Sequence, residues 1–254
     1  MTDKPASAED GGERIAKFLA RAGVASRREA EKLIEQGIVT VNGEVLTTPA
    51  FKVTADMDIR VDGTRVGKPG PPRLWRYHKP DGLVTTHKDP QGRPTVFEAL
   101  EGRLPRVISV GRLDLTTEGL LLLTNSGDLS RRLELPSTGW TRRYRVRAYG
   151  KVSQRQLDAL KDGVEIDGMQ YGPVRANLDQ YQGGNVWITL SINEGKNREV
   201  RNLMRHLDLH VNRLIRTAYG PFQLGKLPKD DIEEIPGKQM KEQLGKKICQ
   251  EIGL

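Results

Sequence analysis

The sequence predicts an α+β protein: a small N-terminal module of two helices and short strands, then a larger domain whose mixed, largely antiparallel sheet is flanked by helices. Three observations carry this. Short apolar segments with the pattern of strands recur after residue 73, separated by hairpin-length turns. Few stretches have helical spacing and caps, too few for the regular alternation that builds a purely parallel sheet. Gly67-Lys68-Pro69-Gly70-Pro71-Pro72 stops any regular element and reads as a linker over residues 67–72.

The elements follow in order. Residues 1–12 are polar and acidic, lack the apolar segment of a secretory signal, and read as a disordered tail. Residues 13–66 form the module. Ile15, Phe18 and Leu19 have helical spacing, and Gly23 stops that helix. Ser26 caps a second helix through Gln36, with Glu29 three residues on to complete a capping box. A strand over residues 38–41 meets Asn42-Gly43, a strong hairpin signal, and Val61-Asp62-Gly63 closes another short strand.

The larger domain spans residues 73–236. Residues 74–78 read as a strand ending at the turn Lys79-Pro80-Asp81-Gly82, and residues 83–86 as the next. Pro94 begins a short helix through Leu100. Residues 107–110 and 120–124 are strands. Ser153 caps a helix that buries Leu157 and Leu160 and stops at Gly163. Residues 186–192 alternate as a half-buried strand should, and residues 211–217 read as another. Residues 237–254 look like a loose basic helical tail without a motif.

The 254 residues carry 41 lysines and arginines against 33 acids, a net charge of +8, which favours a polyanionic partner. No apolar run approaches the roughly 18 residues that cross a bilayer. With Cys249 as the sole cysteine there is neither an internal disulfide nor a thiolate metal cluster, and a reducing cytoplasm is the simplest compartment. His206 and His210 lack the carboxylate motif of a zinc site beside them. A phosphate-cradling Gly-x-x-x-x-Gly-Lys-Ser/Thr loop and a dinucleotide-binding Gly-x-Gly-x-x-Gly are both missing, which argues against ATP-driven chemistry and a Rossmann-type enzyme.

Three stretches can carry chemistry. Gly111-Arg112-Leu113-Asp114 precedes an apolar run, Leu120 to Leu123, that only a core can hold, so Asp114 stands on a rigidly held loop. A carboxylate so held can act as nucleophile or base. Glu194-Gly195-Lys196-Asn197-Arg198-Glu199-Val200-Arg201 opens a helix whose apolar stripe is Val200, Leu203, Met204 and Leu207 and whose second stripe is Arg198, Arg201 and Arg205. That helix can set a guanidinium against Asp114 and turn its N-terminal amides toward an anion. In Arg142-Arg143-Tyr144-Arg145-Val146-Arg147, alternation puts Tyr144 and Val146 on one face and the following arginines on the other, and a tyrosine so placed can stack on an extruded base.

Residues 14–30, from Arg14-Ile15-Ala16-Lys17-Phe18-Leu19 to Arg27-Arg28-Glu29-Ala30, with Val39-Thr40-Val41-Asn42-Gly43, resemble the small RNA-binding domain named after ribosomal protein S-four. That resemblance nominates Arg14, Lys17, Arg27 and Arg28 for contact with structured RNA. The three chemical stretches occur in the order seen in pseudouridine synthases and look like the branch that includes the ribosomal small-subunit uridine enzyme. Lys79-Pro80-Asp81-Gly82 matches that branch's early turn, while Asp89-Pro90-Gln91-Gly92-Arg93-Pro94-Thr95-Val96-Phe97 is most similar to its large-subunit members. Thr117 stands where many relatives carry asparagine.

The resemblance implies an isomerase that cleaves the uracil N1–ribose C1′ bond, rotates the base and rejoins it through C5, without cofactor, metal or ATP. It implies Asp114 as the essential aspartate, Tyr144 as the ring stacked on uracil, and Arg201 as the base paired with the aspartate. It implies Arg112 holding the flipped nucleotide's place, with Lys79, Lys196 and Arg198 as further substrate-binding residues. Ribosomal RNA, as a structured stem-loop or within a pre-ribosomal particle, is the implied partner, most simply of a monomer. The alternative is a non-catalytic RNA-binding or ribosome-assembly factor on the same fold.

Overall fold

A computed structural model of the chain describes residues 12–54 and 56–254. The tail expected over residues 1–12 lies, Gly12 apart, outside them. The chain divides into two compact units. One holds the N-terminal stretch through Pro72 with Pro105–Val107 and Asn125–Gly127; the other holds Arg73–Leu104, Ile108–Thr124 and Asp128–Leu254.

In the first unit, strand β1 (Glu13–Arg14) leads into helix α1 (Ile15–Arg21), and α2 (Arg27–Glu35) starts at Ser26. The capping box forms as expected: the Ser26 hydroxyl accepts from Glu29 N, and the Glu29 carboxylate accepts from Ser26 N. Strands β2 (Val39–Val41) and β3 (Glu44–Val45) make the hairpin, whose turn residues Asn42 and Gly43 both take positive φ. Strand β4 (Lys52–Val53) pairs with β1. Strands β5 (Ile59–Val61) and β6 (Thr64–Arg65) complete a second sheet of order β3-β2-β5-β6. Ile15, Phe18, Leu19 and Ile34 from the helices meet Val39, Val41, Phe51 and Ile59 in one core.

The second unit is built on β7 (Leu74–Lys79), β8 (Ile108–Ser109), β9 (Thr117–Thr124), β10 (Arg142–Tyr149), β13 (Val174–Gln182), β14 (Asn185–Ile192), β15 (His210–Tyr219), β16 (Phe222–Gln223) and β17 (Ile232–Glu234), with the hairpin β11 (Val164–Ile166) and β12 (Met169–Tyr171) apart. The main path runs β13-β14-β10-β15-β9-β7-β17. Every neighbouring pair on it is antiparallel except β15 and β9, which are parallel. Gly119 makes that junction possible. It holds φ +103°, and a Cβ there would lie 2.3 Å from the Arg216 carbonyl oxygen.

Helices α5 (Gln154–Asp158) and α6 (Glu199–His206) bury Leu157, Val200, Leu203 and Met204 with Val146, Ile188 and Leu190. Helices α4 (Gly127–Glu134) and α7 (Gly237–Ile252) close a second core around Leu74, Leu120, Leu122 and Phe222. The small α3 (Val96–Ala99) is capped by Thr95.

Two expectations are corrected. Residues 237–254 are not a loose tail: α7 is kinked at Gly245 (φ +76°, ψ 161°), and Met240 and Leu244 before the kink and Ile248 after it are all buried in the second core. Residues 83–86 form no strand. Val84 makes a single bridge to Thr95, after which the Thr86 N–H turns back onto Val84 O at 3.0 Å, and the Thr85 hydroxyl engages Leu113, donating to its carbonyl oxygen at 2.8 Å and accepting from its N–H at 3.3 Å. The segment clamps the Asp114 loop rather than extending the sheet.

Candidate active site

Around the parallel junction the strands carry an unusual inward face. Tyr144 of β10 lies opposite Arg216 of β15, and Val146 opposite Leu214. Across the junction Leu214 lies opposite Thr117, and Arg216 opposite Gly119. Side chains of alternate residues share a face of a strand, so Tyr144, Leu214, Arg216 and Thr117 together form the floor of a cleft of about 440 Å³. Arg143 and Arg145 fall on the opposite face as expected, with Arg145 stacked over Trp187 at 4.6 Å.

One wall is the loop before β9. Gly111 turns it at φ +66°, Leu113 is buried, and Arg112 and Asp114 line the cleft. The loop is held from below by Lys79, which is wholly buried. Its ammonium donates to Pro80 O (2.8 Å), Thr117 O (2.9 Å), Asp114 O (3.2 Å) and Leu115 O (3.4 Å). Burial brings this amine down to about 8, against the pull of the Asp81, Asp114 and Glu118 carboxylates. Lys79 was expected to bind substrate; it does not reach the cleft, since backbone carbonyls surround its only charged group. It is the support of the loop. Glu118, next along β9, accepts a two-pronged pair from Arg213 at 2.8 and 3.0 Å, which ties β9 to β15.

The facing wall is the turn into α6. Arg198 precedes the helix at φ +50°, a left-handed conformation uncommon outside glycine, and leaves its side chain exposed at the cleft. Glu199 is buried beneath it and accepts from Lys196 N at 2.9 Å, so the helix start already holds a carboxyl group of its own. Burial and the neighbouring Glu194 charge push the Glu199 carboxyl up to about 7. Lys196 lines the cleft, but its ammonium is occupied by the Glu194 carboxylate at 2.7 and 2.9 Å and by Gln170 O at 2.6 Å. It braces the turn while lining the cleft.

Arg201 also departs from expectation. Its Nη2 donates to Thr116 O at 3.0 Å and to the Thr116 hydroxyl at 2.8 Å, while among the described residues it makes no ion pair with Asp114. Burial and the Arg198 charge pull this guanidinium down, and the Asp114 charge acts in the opposite sense. Arg201 therefore joins the two walls one turn of chain away from the carboxylate. The structure thus brings Arg112, Asp114, Tyr144, Lys196, Arg198 and Arg201 to one cleft and leaves Lys79 beneath it. It adds Glu134, Arg142, Glu199, Arg216 and Tyr219. Arg216 was legible only as a charge at an inward position of a strand, between Leu214 and Ala218.

Counting the cleft's lining, six side chains are arginine or lysine and three are acidic. An open, positively charged cleft with one presented carboxylate and a tyrosine in its floor suits an anionic substrate bearing a planar ring.

A family model described as RNA pseudouridylate synthase matches residues 73–206, and one described as S4 domain matches residues 13–59. The chain is 51% identical over 225 residues to an uncharacterized RNA pseudouridine synthase of Rickettsia conorii, covering 89% of this chain and 97% of that one. It is 41% identical over 234 residues to ribosomal large subunit pseudouridine synthase B of Yersinia pestis, covering 88% and 73%. A solved crystal structure of a pseudouridylate synthase superimposes with a TM-score of 0.63 at 26% identity, covering 92% of this chain and 100% of that one. A presented aspartate and a basic cleft lie within the matched fold, and the chain belongs to the RNA pseudouridylate synthase family, an isomerase with an S4 domain ahead of its catalytic domain.

Proposed function

We propose that this isomerase converts a specific uridine of large-subunit ribosomal RNA to pseudouridine, in the cytoplasm and as a monomer, with Asp114 as its catalytic carboxylate and without cofactor or metal. Within the family it is most like large subunit pseudouridine synthase B, in the branch that also includes the small-subunit uridine enzyme. Relatives at 41–42% identity named for the large subunit support that choice of RNA. The observation that carries the reading of the site is the cleft itself, where three separate stretches of chain bring Arg112 and Asp114, Tyr144, and Arg201 together.

In this reading the target nucleotide is flipped into the cleft, its uracil lies on Tyr144, and Arg112 and Arg198 hold it. The Asp114 carboxylate, fixed through its own carbonyl by Lys79, meets the ribose. The N1–C1′ bond breaks and a C5–C1′ bond forms. The C5 proton leaves and N1 gains one, so the change is an isomerisation with nothing consumed. Attack at C1′ and removal of a ribose proton both place the carboxylate there. Arg14, Lys17, Arg27 and Arg28 engage a structured stem-loop of the RNA, free or within a pre-ribosomal particle. Arg27 and Arg28 occupy the first turn of α2, where the helix dipole disfavours cations by about 0.3–1 kcal/mol each. Their presence there fits selection for a partner over helix stability.

Mapping pseudouridines in ribosomal RNA from cells with and without the protein, complemented by Asp114→Asn, tests this reading. One large-subunit pseudouridine should disappear on deletion and stay absent with the variant, which should still bind RNA within about twofold of wild type. Loss of a small-subunit pseudouridine instead would overturn the choice of RNA. Normal modification by the variant would leave a catalytic role for Asp114 untenable, and an unchanged pattern on deletion would favour an assembly factor.

A further inference from the structure

One end of the cleft has no task in that mechanism. Arg142 and Arg216 both lie over the ring of Tyr219, their guanidinium carbons 4.8 and 5.0 Å from its centroid, and all three residues line the cleft. Arg216 is only 3% exposed. Its Nε donates to Leu120 O at 2.8 Å, and its Nη2 has no acceptor. Arg142 donates to Trp140 O (3.1 Å), Asn193 O (3.0 Å) and the Tyr219 hydroxyl (3.1 Å), and that hydroxyl donates to Leu133 O at 3.0 Å. Every one of these partners is neutral.

Among the described residues neither arginine has a carboxylate within ion-pair reach. Glu134 lines the same cleft, but accepts from the Ser130 hydroxyl at 2.7 Å and not from either guanidinium. Two like charges are therefore held around one ring, and desolvation of the buried Arg216 and mutual repulsion both act against them. Attraction to the ring face offsets only part of this. An anion arriving with the substrate completes the arrangement. RNA offers a neutral base and a charged phosphodiester, and charge selects the second. Arg216 is the cross-strand partner of Tyr144, so a phosphate held there adjoins the nucleotide whose base lies on that tyrosine.

We infer that Arg142 and Arg216, braced on Tyr219, bind a backbone phosphodiester next to the target uridine and act as positioning residues. The inference rests on the cleft being the RNA site. Its test uses the full chain, ribosomal RNA extracted from cells lacking the protein, and the variants Arg142→Gln, Arg216→Gln and Arg216→Lys, each checked for wild-type melting. Wild-type turnover of that RNA establishes the underlying reading, and its absence would sink that reading rather than this one. Given turnover, each glutamine variant should raise KM about tenfold or more, with a smaller change in kcat. Each should also reduce the log–log salt slope of RNA binding by about 0.7, the value for one single-strand phosphate contact. Arg216→Lys should restore most of the slope. A glutamine variant with the wild-type slope overturns the inference, including one that loses kcat alone, since the arginine would then serve the base. If Arg216→Gln fails to fold, Arg142→Gln, at a partly exposed position, decides by the same slope.

Discussion

The two walls of the cleft are built on opposite principles. The Asp114 wall rests on a single buried ammonium shared among backbone carbonyls and on a threonine hydroxyl clamped to Leu113. The α6 wall rests on the buried Glu199 carboxyl, which accepts from Lys196 N, and on the partly exposed ion pair of Lys196 with Glu194. Buried dipoles around a charge are insensitive to salt and resist displacement, whereas partly exposed ion pairs are screened and titrate. The wall that presents the acid is thus the rigid one, and the wall that presents cations to a flexible polyanion is the adjustable one.

This contrast can be broken at its base. Gly119→Ala puts a Cβ 2.3 Å from the Arg216 carbonyl oxygen at a φ of +103°, so both walls lose the parallel junction beneath them. A destabilisation of about 4 kcal/mol or more is expected, read as a fall in melting temperature together with loss of activity. A variant that melts like wild type would refute the close packing of β9 on β15.

Lys79→Met should act on the rigid wall alone. Four carbonyls lose their donor, while the cost of burying an ammonium is removed, leaving a net penalty of about 2 kcal/mol. The loss should fall on kcat more than on KM, because the lysine touches the loop and not the cleft. A rise in KM alone would return Lys79 to the substrate.

Arg201→Lys tests the tie between the walls. Lysine cannot reproduce the guanidinium's grip on Thr116, and a roughly tenfold fall in kcat/KM, about 1.4 kcal/mol, is expected with little change in melting temperature. Equal activity would mean that the walls are fixed independently.

The smallest effect is one of pH on the adjustable wall. The Glu199 carboxyl rises from its ordinary 4.5 to about 7 in the folded chain. Between those values the folded state keeps a proton that the unfolded chain releases. Its contribution to stability is therefore complete below about pH 4.5 and lost as the pH climbs through about 7. Melting temperatures of wild type and Glu199→Gln, measured from pH 4.5 to 7.5, should diverge as pH rises, with the variant more stable at the upper end. Parallel curves would show that Glu199 is ionised throughout. Lys79 adds an opposite slope, with stability gained only above about pH 8.

The N-terminal unit was legible nearly residue by residue because its signals are local: a capping box closes over three residues, and a hairpin turn needs two. The catalytic unit was legible in its motifs but less so in their wiring. Asp114 was identifiable as a presented carboxylate because an apolar strand follows it. The sequence reading placed Lys79 on the substrate, since a lysine's partner carbonyls cannot be read from spacing. The helix of α7 was mistaken for a tail because its apolar stripe is thin, and it is the second core that holds it.

What the sequence by itself determined was the division into a small RNA-binding module and an α+β catalytic domain, the strands and caps that depend on neighbouring residues, and the presentation of Asp114 on a held loop. Tertiary structure alone decided which cations face the cleft and which are consumed by the protein. Arg216 comes from a strand about 70 residues beyond Tyr144, yet it lies directly across from it. A charged side chain's role depends on the groups that surround it in space, and a β-sheet assembles those groups from stretches far apart in the chain.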